Sequence, residues 1–498
     1  MTTRTLWRTA GWFLFIFWSA GLLQAQQPAP AVDTSYAPSL CGPPPPPGAP
    51  DTIDRAVLAW MQRSRTPAAS IAIVRSGHPT MERAYGWADL ANCLPASPAN
   101  RFGIGSISKQ ITALGILLLV QQGKLALDDP ISPWFPEAGT AWPGITVRHL
   151  LNHASGIRDM RGDDPVYPQI TFNKMQAISE TELITQLAAA PLNFRPGEGW
   201  AYSNTGYLLL SLIIERAGGM PFQEWMREHV FEPLGMRDTR FYDAREIIPG
   251  LARGYTLQDG RLTQGVYTNP SYSHWGDTGV ISTTHDMALW CAELDSSRLI
   301  SPNLHAMMLA PARLADSSAF PYGFGVTLDD YRGEPVLRHG GTYAVGYSAN
   351  LITLPERGLA IVVLTNQHEG NPWAVSGKLL GLIDSTLPPL SSLPSRRDPS
   401  PARTRRLTAL LNGDSTAAPA TPAWLRLMYP QIHGFLSEQL PLAVDYVDCD
   451  DVGRRKIQRF GATAERECYY RLRHGEMDMV MSVLYANDDR IMGMFPSF

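Results

Sequence analysis

The stretch from Phe102 to Gly123, FGIGSISKQITALGILLLVQQG, restricts this chain more than any other. Ile111, Leu114, Leu117, Leu118 and Val120 leave its helix almost no polar face, so it belongs inside a core with other elements packed round it. Gly123 ends it. Into that apolar setting the chain puts Ser106 and Lys109, three residues apart and therefore stacked on one face, about one turn from each other. An unpaired ammonium is costly there, and the chain has only five lysines. Desolvation that lowers the lysine pKa makes it a proton acceptor for the serine hydroxyl, while the first-turn amides sit where negative charge grows. Ser-x-x-Lys alone has two fixed positions and often marks no more than a solvated turn. The apolar surroundings are what raise it to a catalytic candidate.

At 498 residues the chain predicts two domains after processing. Residues 1–25 read as a secretory signal peptide: Arg4 and Arg8, the apolar run Trp12 to Leu23, then Ala25 as the cleavage point. An uncleaved N-terminal anchor is the alternative, but the run is short for a bilayer, and no stable membrane span is expected after cleavage. The protein is thus expected to be exported, periplasmic or secreted. Loss of Arg4 and Arg8 takes the formal net charge from −4 to −6, which gives no electrostatic case for nucleic acid. Export permits disulfides among the five cysteines. Cys449 and Cys468 lie in consecutive strand-like runs, Cys41 and Cys93 flank the first strands, and Cys291 in MALWCAEL reads as a buried thiol; spacing leaves the connectivity open. No His/Cys cluster has metal-ligand spacing, so neither a metal nor a cofactor is expected.

Residues 26–50 are a Pro/Ala-rich leader with little core of its own. Thr52 opens a helix with Ile53, Val57, Trp60 and Met61 on one face. A hairpin follows, strands near 69–75 and 80–88 about a Ser76-Gly77 turn. In TVRHLLNHASG, His149 and His153 lie four apart without a glutamate between them, which favours a structural role over zinc. Ser179 to Glu182 is a capping box for a helix running to about Ala190. In RPGEGWAYSNTGYLLLSLIIERAGG a second apolar helix runs from Thr205 to Gly218-Gly219. Tyr202 and Asn204 stand in the loop before it, two apart and able to point the same way. Next to an activated serine, a phenol relays a proton and an amide holds a carbonyl. Residues 220–330 read as mostly connecting structure, with a helix capped by Thr284 and with Tyr272 and Trp275 as loop aromatics. Three strand-like runs follow in PVLRHGGTYAVGYSANLITLPERGLAIVVLTN. His339 closes the first, and Gly340 and Gly341 after it permit close approach of backbone or ligand.

Three boxes, Ser106-Ile-Ser-Lys109, Tyr202-Ser-Asn204 and His339-Gly-Gly341, resemble the serine penicillin-recognising hydrolases in order and spacing. The likeness is to the class C β-lactamase-like group, with its DD-peptidases, D-aminopeptidases and family VIII esterases. FGIGSISKQITA, TVRHLLNHASGI, FRPGEGWAYSNTGY and LAIVVLTN match as flanks, over about residues 50–385. The resemblance implies an α/β (α+β) sandwich in residues 51–386: an antiparallel sheet built from both ends of the region, flanking helices and an inserted helical part. It implies Ser106 as the acylated nucleophile, Lys109 as its proton acceptor and Tyr202 as the base that alternates with it, the order of the two left open. Asn204, His339, Gly341 and Thr342 would bind substrate, with the Ser106 and Thr342 amides as the oxyanion hole. Where relatives that take β-lactams carry a lysine, His339 is charged only below about 6.5. Arg338 should point to the other face and not replace it. Esters, amides or short peptides, including D-amino-acid ones, therefore fit better than β-lactams or DD-carboxypeptidase substrates.

Residues 387–402 are a Ser/Pro-rich linker. Residues 403–498, two helices and then strand-like runs, read as a small α+β domain free to cover the groove, mediate homo-oligomerisation or bind a partner. The expected activity is that of an exported serine hydrolase acting through an acyl-enzyme. The rival is a non-catalytic binding or sensing module on the same fold, which would have no need of Ser106, Lys109 and Tyr202 together.

Overall fold

The computed structural model describes residues 41–42, 49–160, 179–258, 260–265, 276–331, 334–389, 394, 396–436, 440–452, 458–459, 462–474 and 477–496. The signal segment, most of the leader, Tyr272 and Trp275 lie outside the described residues.

Helix α1 (Thr52–Ser64) starts at Asp51, whose side chain accepts from the Asp54 amide while Asp54 accepts from the Asp51 amide. Its Val57, Trp60 and Met61 are buried. Strands β1 (Ala68–Arg75) and β2 (His78–Asp89) join at Ser76-Gly77, both at positive φ (48° and 77°), the twist that matches a two-residue hairpin. With β3 (Leu94–Pro95), β4 (Thr327–Tyr331), β5 (Glu334–Tyr343), β6 (Tyr347–Leu354) and β7 (Leu359–Thr365) they form a seven-stranded sheet. Its order is β4-β5-β6-β7-β1-β2-β3 and every pairing is antiparallel. Register Ala69↔Thr365 to Arg75↔Leu359 places the start and end of the region side by side, as the resemblance implied.

Helix α2 (Ser108–Gln121) is buried from Ser108 to Leu119, which satisfies its all-round apolarity, and Gly123 follows at φ +69°. It packs on α4 (Asn204–Gly218), which in turn packs on α3 (Val147–Leu151); α5 (Thr284–Asp295) and α6 (Pro372–Ile383) lie on the sheet. One face of the sheet, with Ala69, Ile71 and Ile73 of β1, packs on Trp60 of α1 and Leu379 of α6. The other, with Ala68, Ala72 and Val74, packs on Trp290 and Leu294 of α5. This alternation explains why β1 is apolar along almost its whole length.

Four local expectations shift. Ser106 lies on a 3₁₀ turn, Gly105–Ile107, rather than in α2, because Gly105 bends the chain at φ +54°. Thr283, extended and accepting from the Asp286 amide, caps α5 in place of Thr284, whose hydroxyl instead meets Ser70 at 3.0 Å. Asn204 is the first residue of α4, after the Ser203 cap, not a loop residue. The helix opened by Ser179 stops at Ala188, since Pro191 disfavours helix in the residue before it. Residues 220–330 also supply more than connections. Val280–Ser282 and Arg240–Phe241 pair into a small sheet with Phe102–Gly103, holding the entry to Ser106.

The C-terminal part has helices α7 (Pro401–Leu411), α8 (Pro422–Leu427) and α9 (Tyr429–Leu436), then strands β8 (Ala443–Asp451), β9 (Gln458–Arg459), β10 (Ala462–His474), β11 (Met477–Ala486) and β12 (Ile491–Pro496). They form a small antiparallel β domain ordered β8-β10-β11-β12, with β9 on β10. Its core of Leu407, Trp424 and Tyr470 runs into Trp200, Tyr202, Phe320 and Tyr322 without a break. Cys449 and Cys468, opposite each other in β8 and β10, form a disulfide, as do Cys41 and Cys93. Cys291 is a buried thiol that burial pushes up to about 12. Among the described residues no helix is long and apolar enough to cross a membrane.

Candidate active site

Two backbone segments interlock at the site. A Cβ on Gly341 would overlap the Ile104 carbonyl oxygen and stand 2.9 Å from the Ser106 nitrogen, and one on Gly105 would stand 2.5 Å from the Thr342 nitrogen. Glycine is therefore required on both sides for β5 to lie against the turn that carries Ser106. The amides of Ser106 and Thr342 come together as a result, the arrangement an oxyanion hole needs.

Ser106 is 3% exposed and Lys109 wholly buried. Three oxygens surround Lys109 Nζ: Ser106 Oγ at 3.1 Å, Asn204 Oδ1 at 2.8 Å and the Asp277 carbonyl at 2.8 Å. The amide and carbonyl oxygens only accept, so they take two amine hydrogens; the hydroxyl of Ser106 both donates and accepts. The same geometry thus holds an ammonium donating to Ser106 or a neutral amine whose lone pair receives the Ser106 hydrogen. Asn204 Nδ2 donates to Asp159 Oδ2 at 2.8 Å, which fixes which end of the amide meets the lysine.

Tyr202, in extended chain before α4, lays its ring under the lysine, with Nζ 4.8 Å from the ring centroid. Burial pushes its phenol well above the ordinary value, opposed by a hydrogen bond with Ser106. Tyr202 is therefore a protonated phenol at rest. Around it, His153 Nδ1 accepts from the Ser203 amide at 3.1 Å, so its proton is on Nε2, among the rings of Tyr202, Tyr322 and Tyr207. Burial, then the Lys109 charge, hold His153 neutral. His149 Nδ1 accepts from the Thr146 amide at 3.2 Å and closes a cap. Both histidines thus serve backbone, in keeping with the structural reading, and no group of three metal-capable side chains occurs among the described residues.

His339 ends in the same cluster, 4% exposed. Its Nδ1 is 2.6 Å from the Gly340 carbonyl, which only accepts, so Nδ1 carries the hydrogen and Nε2 accepts from the Tyr322 hydroxyl at 3.0 Å. Burial and the Lys109 charge hold the ring neutral, with its pKa at about 3. Arg338 faces the opposite way, as expected, paired with Asp329 at 2.5 Å and stacked 4.2 Å from the Trp373 ring centroid. Neither residue offers the groove a positive charge.

The expected residues Ser106, Lys109, Tyr202, Asn204, His339, Gly341 and Thr342 therefore meet in one place. His339 stands there with both ring nitrogens engaged within the protein, which makes it a wall rather than a hydrogen-bonding partner for substrate. Sequence reading missed Asp159, the Asp277 carbonyl and Tyr322, all from irregular segments where no spacing announces a partner.

A family model described as Beta-lactamase matches residues 53–382. Penicillin-binding protein 4* of Bacillus subtilis is 31% identical over 315 residues, 60% of this chain and 68% of that protein. A D-aminopeptidase of Brucella ovis is 27% identical over 356 residues, 70% of this chain and 65% of the relative. The chain thus spans about two thirds of the length of these relatives. Among solved structures, a penicillin-binding protein from Bacillus halodurans aligns with a TM-score of 0.55 at 26% identity, covering 67% of this chain and 99% of its own. The octameric penicillin-binding protein homologue from Pyrococcus abyssi has a TM-score of 0.56 at 23% identity, over 88% of this chain and 96% of its own, a likeness of fold.

Proposed function

The chain belongs to the Beta-lactamase family and is a serine hydrolase, and on that premise we propose that it cleaves small esters or amides, D-amino-acid amides and short peptides included, through an acyl-enzyme on Ser106. The observation that carries this reading is Lys109 Nζ, buried and held by two acceptor-only oxygens with Ser106 Oγ as its third neighbour. With Tyr202 held as a phenol, Lys109 in its neutral-amine form takes the Ser106 proton as Oγ attacks the substrate carbonyl, becoming the ammonium. The amides of Ser106 and Thr342 receive the oxyanion. Tyr202, hydrogen-bonded to Ser106 and with its ring beside the Lys109 amine, passes a proton to the departing alkoxide or amine and is reprotonated from Lys109. Water then hydrolyses the ester on Ser106 by the reverse proton path. Asn204, already turned toward Lys109, holds the substrate carbonyl or amide at the groove.

The substrate preference follows from the missing cation. A β-lactam or D-Ala terminus presents a carboxylate, and the neutral His339 has nothing to pair with it. A fluorophosphonate probe should label wild type but not Ser106→Ala, and short p-nitrophenyl esters should be cleaved faster than nitrocefin. Absence of labelling counts against the acyl-enzyme; faster nitrocefin turnover restores a β-lactamase assignment. Export is supported by the leader sequence and by two disulfides, which persist in oxidising compartments. Assembly of several copies through the C-terminal domain belongs to the same proposal; the Pyrococcus abyssi homologue is octameric.

A further inference from the structure

Asp159 is 5% exposed and Asn204 6%. The carboxylate accepts from Asn204 Nδ2 at 2.8 Å, and the other end of that amide, Oδ1, accepts from Lys109 Nζ at 2.8 Å. A side-chain amide is nearly symmetric in shape, so packing alone hardly distinguishes its two orientations; only its partners do. Turned over, Asn204 would set its oxygen against a carboxylate and its hydrogens against an amine, two mismatched contacts in a buried site. We infer that Asp159 is the positioning residue of this site: it locks Asn204 with its oxygen toward Lys109 and so fixes the direction from which the amine meets Ser106. The inference rests on the reading of Ser106 and Lys109 as the acylation pair.

The carboxylate also adds negative charge to the pocket. Among the described residues, the groups facing Lys109 include Ser106 from its own turn, Tyr202, Asn204 and Tyr207 at α4, His153 after α3, His339 on β5 and the Asp277 carbonyl. Both histidines are held neutral, and burial keeps Tyr202 and Tyr207 protonated. Among the described residues, the Asp159 and Asp277 carboxylates both act on Tyr202. The Asp159 carboxylate is one side-chain amide away from the Lys109 amine; a negative charge that near favours the ammonium, so removing it lets the amine lose its proton at lower pH.

The test is Asp159→Asn in the full chain, assayed on p-nitrophenyl acetate with Ser106→Ala as the blank. The neutral amide accepts either orientation of Asn204. The kcat should fall on the order of 10–100-fold with KM little changed, the scale of a misplaced reacting group. The acid limb of the pH profile should move lower by about half a pH unit or more. Independently of turnover, the Lys109 Nζ resonance in 15N-lysine-labelled protein, assigned through Lys109→Arg, should titrate lower by the same amount. Asp159→Glu keeps the charge but oversteps the amide, so it should lose kcat with the acid limb in place; it carries the test if Asp159→Asn does not fold. A folded Asp159→Asn with wild-type kcat and an unmoved Lys109 titration overturns the inference, as does an Asp159→Glu with wild-type kcat. If wild type neither takes the fluorophosphonate nor cleaves the ester, the functional reading fails, and the Lys109 titration still judges Asp159.

Discussion

The hydroxyl of Tyr322 donates to His339 Nε2 across 3.0 Å, and this bond, together with the Gly340 carbonyl on the other nitrogen, fills the hydrogen-bonding capacity of the ring. The third box is thus built round a neutral side chain. Replacing it with the lysine found in β-lactam-cleaving relatives would bury an ammonium in a pocket that already holds Lys109. His339→Lys should therefore lose roughly 3 kcal/mol or more of stability and gain no nitrocefin turnover. Urea denaturation and a nitrocefin assay check both, and a stable variant that cleaves nitrocefin contradicts the account.

Gly341 is the position at which a single methyl group should do most harm. Its Cβ would collide with the Ile104 carbonyl and press on the Ser106 nitrogen, parting the two segments that bring the amides together. Gly341→Ala should lower kcat on p-nitrophenyl esters by about 100-fold or more, the scale of losing an oxyanion donor, and slow fluorophosphonate labelling with it. Wild-type labelling would mean that β5 does not set the oxyanion geometry.

Trp424 of α8 is wholly buried in the cluster that continues into Trp200 and Tyr202. Trp424→Ala should cost about 3–5 kcal/mol. Because the cluster is continuous, wild type should unfold in one transition whether followed by tryptophan emission or by loss of esterase activity. Activity that survives a separate earlier transition would show that the C-terminal domain and the site are not one cooperative unit.

Burial lifts Glu467 of β10 to about 8, with the Ser482 hydroxyl opposing and the Asp330 and Asp329 carboxylates adding to the rise. An acid raised in the folded state binds its proton more tightly there than in the unfolded chain. Its contribution is complete below the unfolded value of 4.5, declines above it and is gone once the pH passes about 8. Between pH 5 and 9 the wild-type melting temperature should fall more than that of Glu467→Gln, since each pH unit between the unfolded and folded values removes about 1.4 kcal/mol. Parallel pH dependences would mean that Glu467 ionises normally in the fold.

The sequence made most of this architecture readable, for identifiable reasons. An all-apolar helix after Ser106 has to be central, Ser76-Gly77 has to turn a hairpin, and the runs after Leu442 are strand-like in composition. The meeting of Ser106, Lys109, Tyr202 and His339 was legible only because the boxes resemble those of a family; spacing by itself joins the first two. The Asp159–Asn204 bond spans 45 residues and the Tyr322–His339 bond 17, and each links irregular backbone to a regular element. Such pairs leave no period to read. The shift of the α5 cap from Thr284 to Thr283 is the same limit in small: two adjacent threonines can both cap, and the demand of Ser70 for a partner decides between them.

The pairing of β1 with β7 has a consequence for how the polypeptide is made. Ala69 waits for Thr365, about 300 residues downstream, before the middle of the sheet can close, a loop of high contact order that slows folding. Until a ribosome has passed that point, the helix behind Ser106 has no finished sheet to rest on, so the nascent chain stays open, and catalytically silent, for most of its synthesis.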